Sequence, residues 1–258
     1  MDMRVLLFAN NWVGWQVARC LRNQGGQIVG LVIHPEVRRK YGTQIVKASQ
    51  VAPENLFTGT ELSEPSVLRR IAALKPELGV SAFFGYILKQ HLLDLLPRGC
   101  VNIHSSLLPY NRGASPHVWG IVEGTPAGVT LHHIDPGVDT GDIIAQRPVP
   151  LEQADTGLAL YRRLENACVD LFDENWPMVR DGSARRIPQP NTAGSSHRAR
   201  DQKAIEEIDL DRTYTGRELI DKIRALTEPL SPGAYYRAGK DKVYLRVELQ
   251  YEKDRGTA

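Results

Sequence analysis

Arg4-Val-Leu-Leu-Phe-Ala9 is a compact apolar strand, and Val13–Asn23 carries helical spacing through Val13, Val17 and Leu21. Gly25-Gly26 stops that helix, and Ile28-Val-Gly-Leu-Val-Ile33 is a second strand. Strand, helix and strand within about thirty residues make a βαβ unit, which requires parallel pairing and a right-handed crossover. The pattern continues downstream. Glu36–Ser49 is polar and partly helical, Ser66–Leu74 is a clearer helix, and Leu78–Phe84 is a strand of buried type. Ile87–Leu95 reads as a short helix and Cys100–Ile103 as a strand. Ala127–Ile134 and Asp142–Val149 are strands joined by the turn Gly137–Gly141, and Thr156–Val179 is a long helix. Residues 1–180 are therefore expected to form one doubly wound α/β domain with a mostly parallel, Rossmann-like sheet.

Residues 181–203 are rich in Gly, Pro, Ser, Asn and Arg and read as a linker. Residues 204–258 read as a small appendage. Thr215-Gly-Arg-Glu218 has capping-box spacing and opens a helix with Leu219, Ile220, Ile223 and Leu226 on one face. Pro229–Gly233 breaks it. Val243, Leu245, Val247, Leu249 and Tyr251 then alternate with polar residues, a half-buried strand that pairs with Ala234–Arg237 as a hairpin.

Composition narrows the function classes. With 42% apolar and 24% charged residues among 258, the chain has the make-up of an ordinary globular protein. A net charge of +2 announces neither a nucleic-acid nor a membrane partner. Cys20, Cys100 and Cys168 lie far apart without C-x-x-C spacing, which argues for a reducing compartment. The apolar run at the start is too short for a signal peptide, and no stretch reaches the length of a membrane span. The cytoplasm is the expected location.

The densest chemistry lies between Asn102 and Gly141. Asn102 and His104 end a strand at i and i+2, so both side chains leave one face. The loops Ser105-Ser-Leu-Leu-Pro109 and Arg112-Gly-Ala-Ser-Pro116 follow, where an α/β sheet places its site. Taken alone, such an Asn/His pair reads as a satisfied structural pair. His132 and His133 are adjacent on a strand and point to opposite faces, so they do not share a metal ion, and no metal site is expected. Gly137 and Gly141 bracket Asp139 in a turn that presents a carboxylate beside backbone N–H groups, although a turn aspartate by itself is commonly just solvated. Trp119 reads as core, and Tyr235 and Tyr236 as hairpin packing.

Together these residues carry more. Asn102-Ile-His104-Ser-Ser-Leu-Leu-Pro109, Arg112-Gly113, Pro116-His-Val-Trp119, Gly128-Val-Thr130 and Asp139-Thr-Gly-Asp142 resemble the core of the folate-dependent formyltransferases. Phe84-Gly-Tyr-Ile-Leu88, Ile223-Arg-Ala-Leu226 and Pro232-Gly-Ala-Tyr235 fit the same family, strongly over Leu78–Gln146 and loosely at the flanks. The resemblance implies a catalytic trio of Asn102, His104 and Asp139 and a formyl donor, 10-formyltetrahydrofolate. It implies donor binding by Phe83, Phe84, Gly85, Tyr86, Ile87 and Leu88, with His132, Gly137, Val138, Gly141 and Asp142. It places the amine acceptor at Ser105, Leu107, Pro109, Arg112 and Gly113.

The acceptor itself stays open among three. The length and the tail look most like a sugar N-formyltransferase acting on a nucleotide-linked amino sugar in polysaccharide biosynthesis, a group whose members are often homodimers. A methionyl-tRNA formyltransferase usually shows a stronger basic face and a larger C-terminal barrel. A glycinamide ribonucleotide enzyme has a Gly-rich first turn where this chain reads Asn10-Asn-Trp-Val-Gly14. A dinucleotide-binding oxidoreductase is disfavoured because no G-x-G-x-x-G follows the first strand. A formyltetrahydrofolate hydrolase would use the same trio with water as nucleophile.

Overall fold

Val5, Leu6, Leu7, Phe8 and Ala9 are all fully buried. Successive side chains of a strand face opposite ways, so a strand buried on both faces lies inside a sheet covered on both sides. The computed structural model describes residues 3–190, 194–228 and 232–254. The parts of the 181–203 linker at 191–193 and of the Pro229–Gly233 break at 229–231 lie outside the described residues. In chain order come β1 (Met3–Ala9), α1 (Asn11–Asn23), β2 (Gly26–Ile33), α2 (Gly42–Ser49), β3 (Leu56–Thr58), α3 (Pro65–Ala73), β4 (Leu78–Ala82), α4 (Gln90–Leu93) and β5 (Cys100–His104). Then follow β6 (Arg112–Gly113), α5 (Pro116–Val122), β7 (Gly128–His133), β8 (Ile143–Pro148), α6 (Gly157–Asp181), β9 (Ser196–His197), α7 (Ala199–Glu206), α8 (Gly216–Ala225), β10 (Ala234–Ala238) and β11 (Asp241–Leu245).

Seven strands form one sheet in the order β3-β2-β1-β4-β5-β7-β8. The pairs from β3 to β5 are parallel, and β7 runs antiparallel to β5. This is the α/β, mostly parallel sheet expected from the opening βαβ unit, with a C-terminal hairpin of β10 and β11. The chain order reverses at β1, so the crevice beyond the carboxyl ends of β1 and β4 is the usual place for a ligand.

The chain divides into two compact units, neither contiguous in sequence: Met1–His104 with Val129–Arg147 and Glu165–Gln189, and Ser105–Gly128 with Pro148–Leu164 and Pro190–Ala258. In the first unit, Leu6, Phe8, Val32, Phe57, Ile71, Phe84 and Leu92 pack as one apolar cluster. The part of α6 from Glu165 onward is held by Trp176, which is fully buried and stacks on Phe172 at 5.8 Å. Its indole N–H donates to the Gln24 carbonyl at 3.3 Å. Pro177, inside α6, has no N–H for the Asp173 carbonyl. Gln24 Nε2 donates to that oxygen instead, at 3.4 Å.

In the second unit, Arg224 is buried on α8. It donates to Asp221 at 2.6 Å, to the Glu152 carbonyl at 3.1 Å and to the Asp155 carbonyl at 2.8 Å, fastening the turn that precedes α6. The capping box at Thr215 and Glu218 forms as expected. Trp119 is buried and stacks on His197 with rings 3.9 Å apart. Tyr235 packs edge-on against Tyr244, and its hydroxyl donates to Glu207 at 2.9 Å.

Three local expectations differ from the structure. The helix expected over Ile87–Leu95 is only Gln90–Leu93: Leu88, Leu92 and Leu96 are buried at helical spacing, but Ile87 is exposed and the residues before it form a loop. The strand expected to run to Tyr251 stops at Leu245, opposite Ala234, because Gly233 and Pro232 precede β10 and Pro232 has no N–H to offer a ladder. Within 181–203, Ile187 bridges Ile143, and Ser196–His197 pairs with Arg112–Gly113.

Emptying the Trp176 site should cost about 3–5 kcal/mol, as for other large-to-small core changes. Urea unfolding of Trp176→Ala is expected to show a lower midpoint with an unchanged slope; an unshifted midpoint would show that α6 is not anchored there.

Candidate active site

The register of two neighbouring strands builds the polar centre of the first unit. Asn102 on β5 lies opposite His132 on β7, and His104 lies opposite Thr130. His132 Nδ1 donates to the His133 carbonyl at 2.8 Å. In the neutral ring Nε2 therefore holds the lone pair. Asn102 Nδ2 lies 3.1 Å from it and donates, which fixes the orientation of the amide and leaves its second hydrogen unused in that bond. Asp139 Oδ2 is 3.6 Å from His104 Nδ1, and Oδ1 is 3.5 Å from His132 Nε2. One carboxylate thus faces two imidazoles, whose rings stand nearly perpendicular at 6.4 Å. His104 and His132 are buried.

Asp139 reaches this place because its turn is held at several points. Its φ of +53° is left-handed, a conformation aspartate tolerates better than most residues. Asp135 accepts from the Gly137 N–H at 3.0 Å and from the Thr140 hydroxyl at 2.6 Å. A Cβ at Gly141 would run into the His133 carbonyl, so the chain closes the turn with glycine. Gln189 Nε2 donates to the carbonyls of Asp139 and Gly141, both at 2.8 Å. Asp142 lies past the turn and pairs with Arg186 at 3.2 Å, and Val138 is exposed at its tip.

The loop Phe83–Leu88 leaves β4 after Ala82, which pairs with Ile103, so it starts at the same sheet edge as His104. Phe83 is left-handed at φ +55°. Phe84 and Leu88 belong to the apolar cluster, and Ile87 is exposed. Gly85 N–H donates to His34 Nε2 at 3.1 Å.

The structure therefore brings Asn102, His104, His132 and Asp139 together, with the Phe83–Leu88 loop on the same edge. Ser105, Leu107, Pro109, Arg112 and Gly113 belong to the second unit. There Ser105 is buried, Pro109 follows a cis peptide bond, and Arg112–Gly113 is β6. Leu107 lines a cavity of about 550 Å³ with Ile121, Val149, Arg217 and Arg224. Two residues at the first unit's site are barely legible in the sequence. Gln189 carries no local signal, because its role comes from a turn fifty residues earlier. His34 had a faint one: a histidine directly after the buried run Leu31-Val-Ile33, at the carboxyl end of a parallel strand.

Residues 3–174 match the formyl transferase family, and residues 201–251 match the N-formyltransferase dimerization C-terminal domain. The first match covers well over half of the chain. This chain belongs to the formyltransferase family. Among solved structures, the formyltransferase is similar to a sugar N-formyltransferase from Shewanella sp. FDAARGOS_354, with 25% identity over 96% of this chain and 98% of that one and a TM-score of 0.83. It is equally similar to a 4-N formyltransferase from Francisella tularensis: 25% identity, 96% and 98% coverage, and a TM-score of 0.82. A formyltransferase from Anoxybacillus kamchatkensis, solved with UDP-4,6-dideoxy-4-formamido-L-AltNAc and tetrahydrofolate, shares 28% identity over 83% of this chain and 94% of that one, at a TM-score of 0.55.

His133, on the opposite face from His132, titrates abnormally. Burial, and then the charge of Arg186, lowers its pKa from 6.5 to about 4. A histidine held neutral by the fold takes up its proton on unfolding. Its share of stability is complete above pH 6.5 and is lost as pH falls from there toward about 4. The urea midpoint should therefore drop between pH 7 and 4.5, and His133→Gln should flatten that slope; an equally steep slope in the variant would reject the assignment.

Proposed function

We propose that this formyltransferase moves the formyl group of 10-formyltetrahydrofolate onto the primary amine of a nucleotide-linked amino sugar. The observation that carries the reading is the meeting of one amide, two imidazoles and one carboxylate around Asn102, His104, His132 and Asp139. An unprotonated amine attacks the formyl carbon and gives a tetrahedral centre with a negative oxygen and a positive nitrogen. Such a centre needs hydrogen-bond donors aimed at the oxygen and a route for the amine's proton.

Asn102 supplies a neutral donor, its amide turned by His132 so that a second hydrogen remains for the oxyanion. His104 supplies another donor. Asp139, 3.5–3.6 Å from both rings, accepts the amine's proton, directly or through a water. The centre then collapses: the bond from the formyl carbon to N10 of the donor breaks, and that nitrogen takes up the proton and leaves as tetrahydrofolate. In this reading His132 positions Asn102 rather than touching the reacting carbon.

The donor's pterin needs apolar contact for its faces and backbone partners for its edge. The Phe83–Leu88 loop and the Gly137–Asp142 turn are suited to both, with aromatic rings, glycines and left-handed backbone at the edge where the polar cluster stands. The sugar acceptor is supported by the likeness to the sugar N-formyltransferase from Shewanella, and by the nucleotide sugar and tetrahydrofolate held by the Anoxybacillus enzyme. The match of residues 201–251 to a dimerization domain supports a homodimer.

Removing one oxyanion donor costs about 3–4 kcal/mol in comparable sites. Purified Asn102→Ala and Asp139→Ala, assayed with 10-formyltetrahydrofolate and nucleotide-linked 3- and 4-amino sugars, are each expected to turn over at least about a hundredfold more slowly. Near-normal rates in either variant would reject its role. Folate released at the same rate without any amine would point to hydrolysis instead. Light scattering is expected to give twice the mass of one chain, and a monomer at micromolar concentration would remove the dimer.

A further inference from the structure

We propose that His34 is a positioning residue for the donor site: a neutral hydrogen-bond acceptor that pins the Phe83–Leu88 loop and makes reduced-folate binding sensitive to acid. The inference rests on the reading of that loop as the folate site. His34 follows β2, two strands from β4 across β1, and is buried. One imidazole meets three successive loop residues. Its Nε2 accepts from the Gly85 N–H at 3.1 Å, and the rings of Phe84 and Tyr86 stand edge-on to it at 5.2 and 5.1 Å. Phe84 continues to Phe8 in the core at 5.6 Å, and Tyr86 lies against Gly59, where an added Cβ would sit 2.7 Å from its ring carbons. The loop is thus located through His34 from the sheet side.

A backbone N–H can donate only to a lone pair, so the bond requires Nε2 to be unprotonated. A proton there would set two N–H groups against each other, breaking the bond and leaving the buried imidazole N–H unsatisfied. The surroundings favour the neutral ring. Burial, then the positive charge of Arg38, lowers the pKa of His34 below its ordinary 6.5. Arg39 Nε donates to the backbone carbonyl of His34 at 2.9 Å. Glu36, in the next turn, is exposed, and Glu61, beyond the end of β3, is taken up by the cap at Thr58. The Tyr86 ring, which carries an ionisable phenol, also stands edge-on to the imidazole.

The sign follows from the neutral requirement. Folate binding is full where His34 is uncharged and weakens as pH falls through the pKa of His34, which burial holds below 6.5. One hydrogen bond is worth about three- to tenfold in an equilibrium constant. Equilibrium binding of 5-formyltetrahydrofolate to the full chain, from pH 7.5 to about 5, is compared for the wild type, His34→Gln and His34→Leu. Glutamine keeps an oxygen acceptor that cannot take a proton at these pH values; leucine keeps bulk without an acceptor.

The wild type should lose affinity about three- to tenfold toward acid. His34→Gln should bind normally at pH 7.5 and lose the acid response, and His34→Leu should bind weakly throughout. If His34→Leu does not fold, as judged by thermal unfolding, the glutamine variant alone decides the matter. An acid response in His34→Gln as large as in the wild type overturns the inference, as does full affinity in a folded His34→Leu. A wild type that binds no reduced folate at any pH overturns the functional reading itself, and this inference with it.

Discussion

The antiparallel pairing of β7 against β5 is the constraint on which the site depends. In the parallel part of the sheet, strands reach the edge side by side, each followed by a crossover. β7 runs the other way, so its later residues return past the start of β5, with His132 opposite Asn102. The chain then turns through Gly137–Gly141 and enters β8. After this reversal the turn, thirty-odd residues after Asn102, brings a carboxylate to His104 of β5 and His132 of β7. A shift of one residue in that register would move His132 to the opposite face and bring His133 to the amide.

Two adjacent histidines show how strongly the face decides chemistry. His132 is hydrogen-bonded at both nitrogens, to the His133 carbonyl and to Asn102, and stands beside Asp139. His133 has no hydrogen-bond partner at Nε2 among the described residues, and burial holds it neutral. Identical side chains one residue apart thus serve as an orienting group on one face and as an acid-labile contribution to stability on the other.

The site is supported from residues distant in sequence. Gln189 clamps the carbonyls of the Asp139 turn, and His34 holds the Gly85 amide. Backbone groups, more than side chains, define both the loop and the turn. The fold itself is shared with the Shewanella and Francisella enzymes at about a quarter identity.

By itself the sequence determined the α/β class, the parallel pairing of the first strands, the cap of α8 and the family. Each depends on local periodicity, on turn residues or on a dense run of motif residues, all of which are written within a short window. It placed Asn102 and His104 on one face because strand periodicity is two. The tertiary structure alone decided that His132 holds the amide of Asn102, that Gln189 and His34 brace the backbone, that Ile87 falls in a loop rather than a helix, and that β11 ends at Leu245. Those outcomes depend on strand register and on which distant donor reaches an unpaired carbonyl or nitrogen, and neither quantity exists until the chain has folded back on itself.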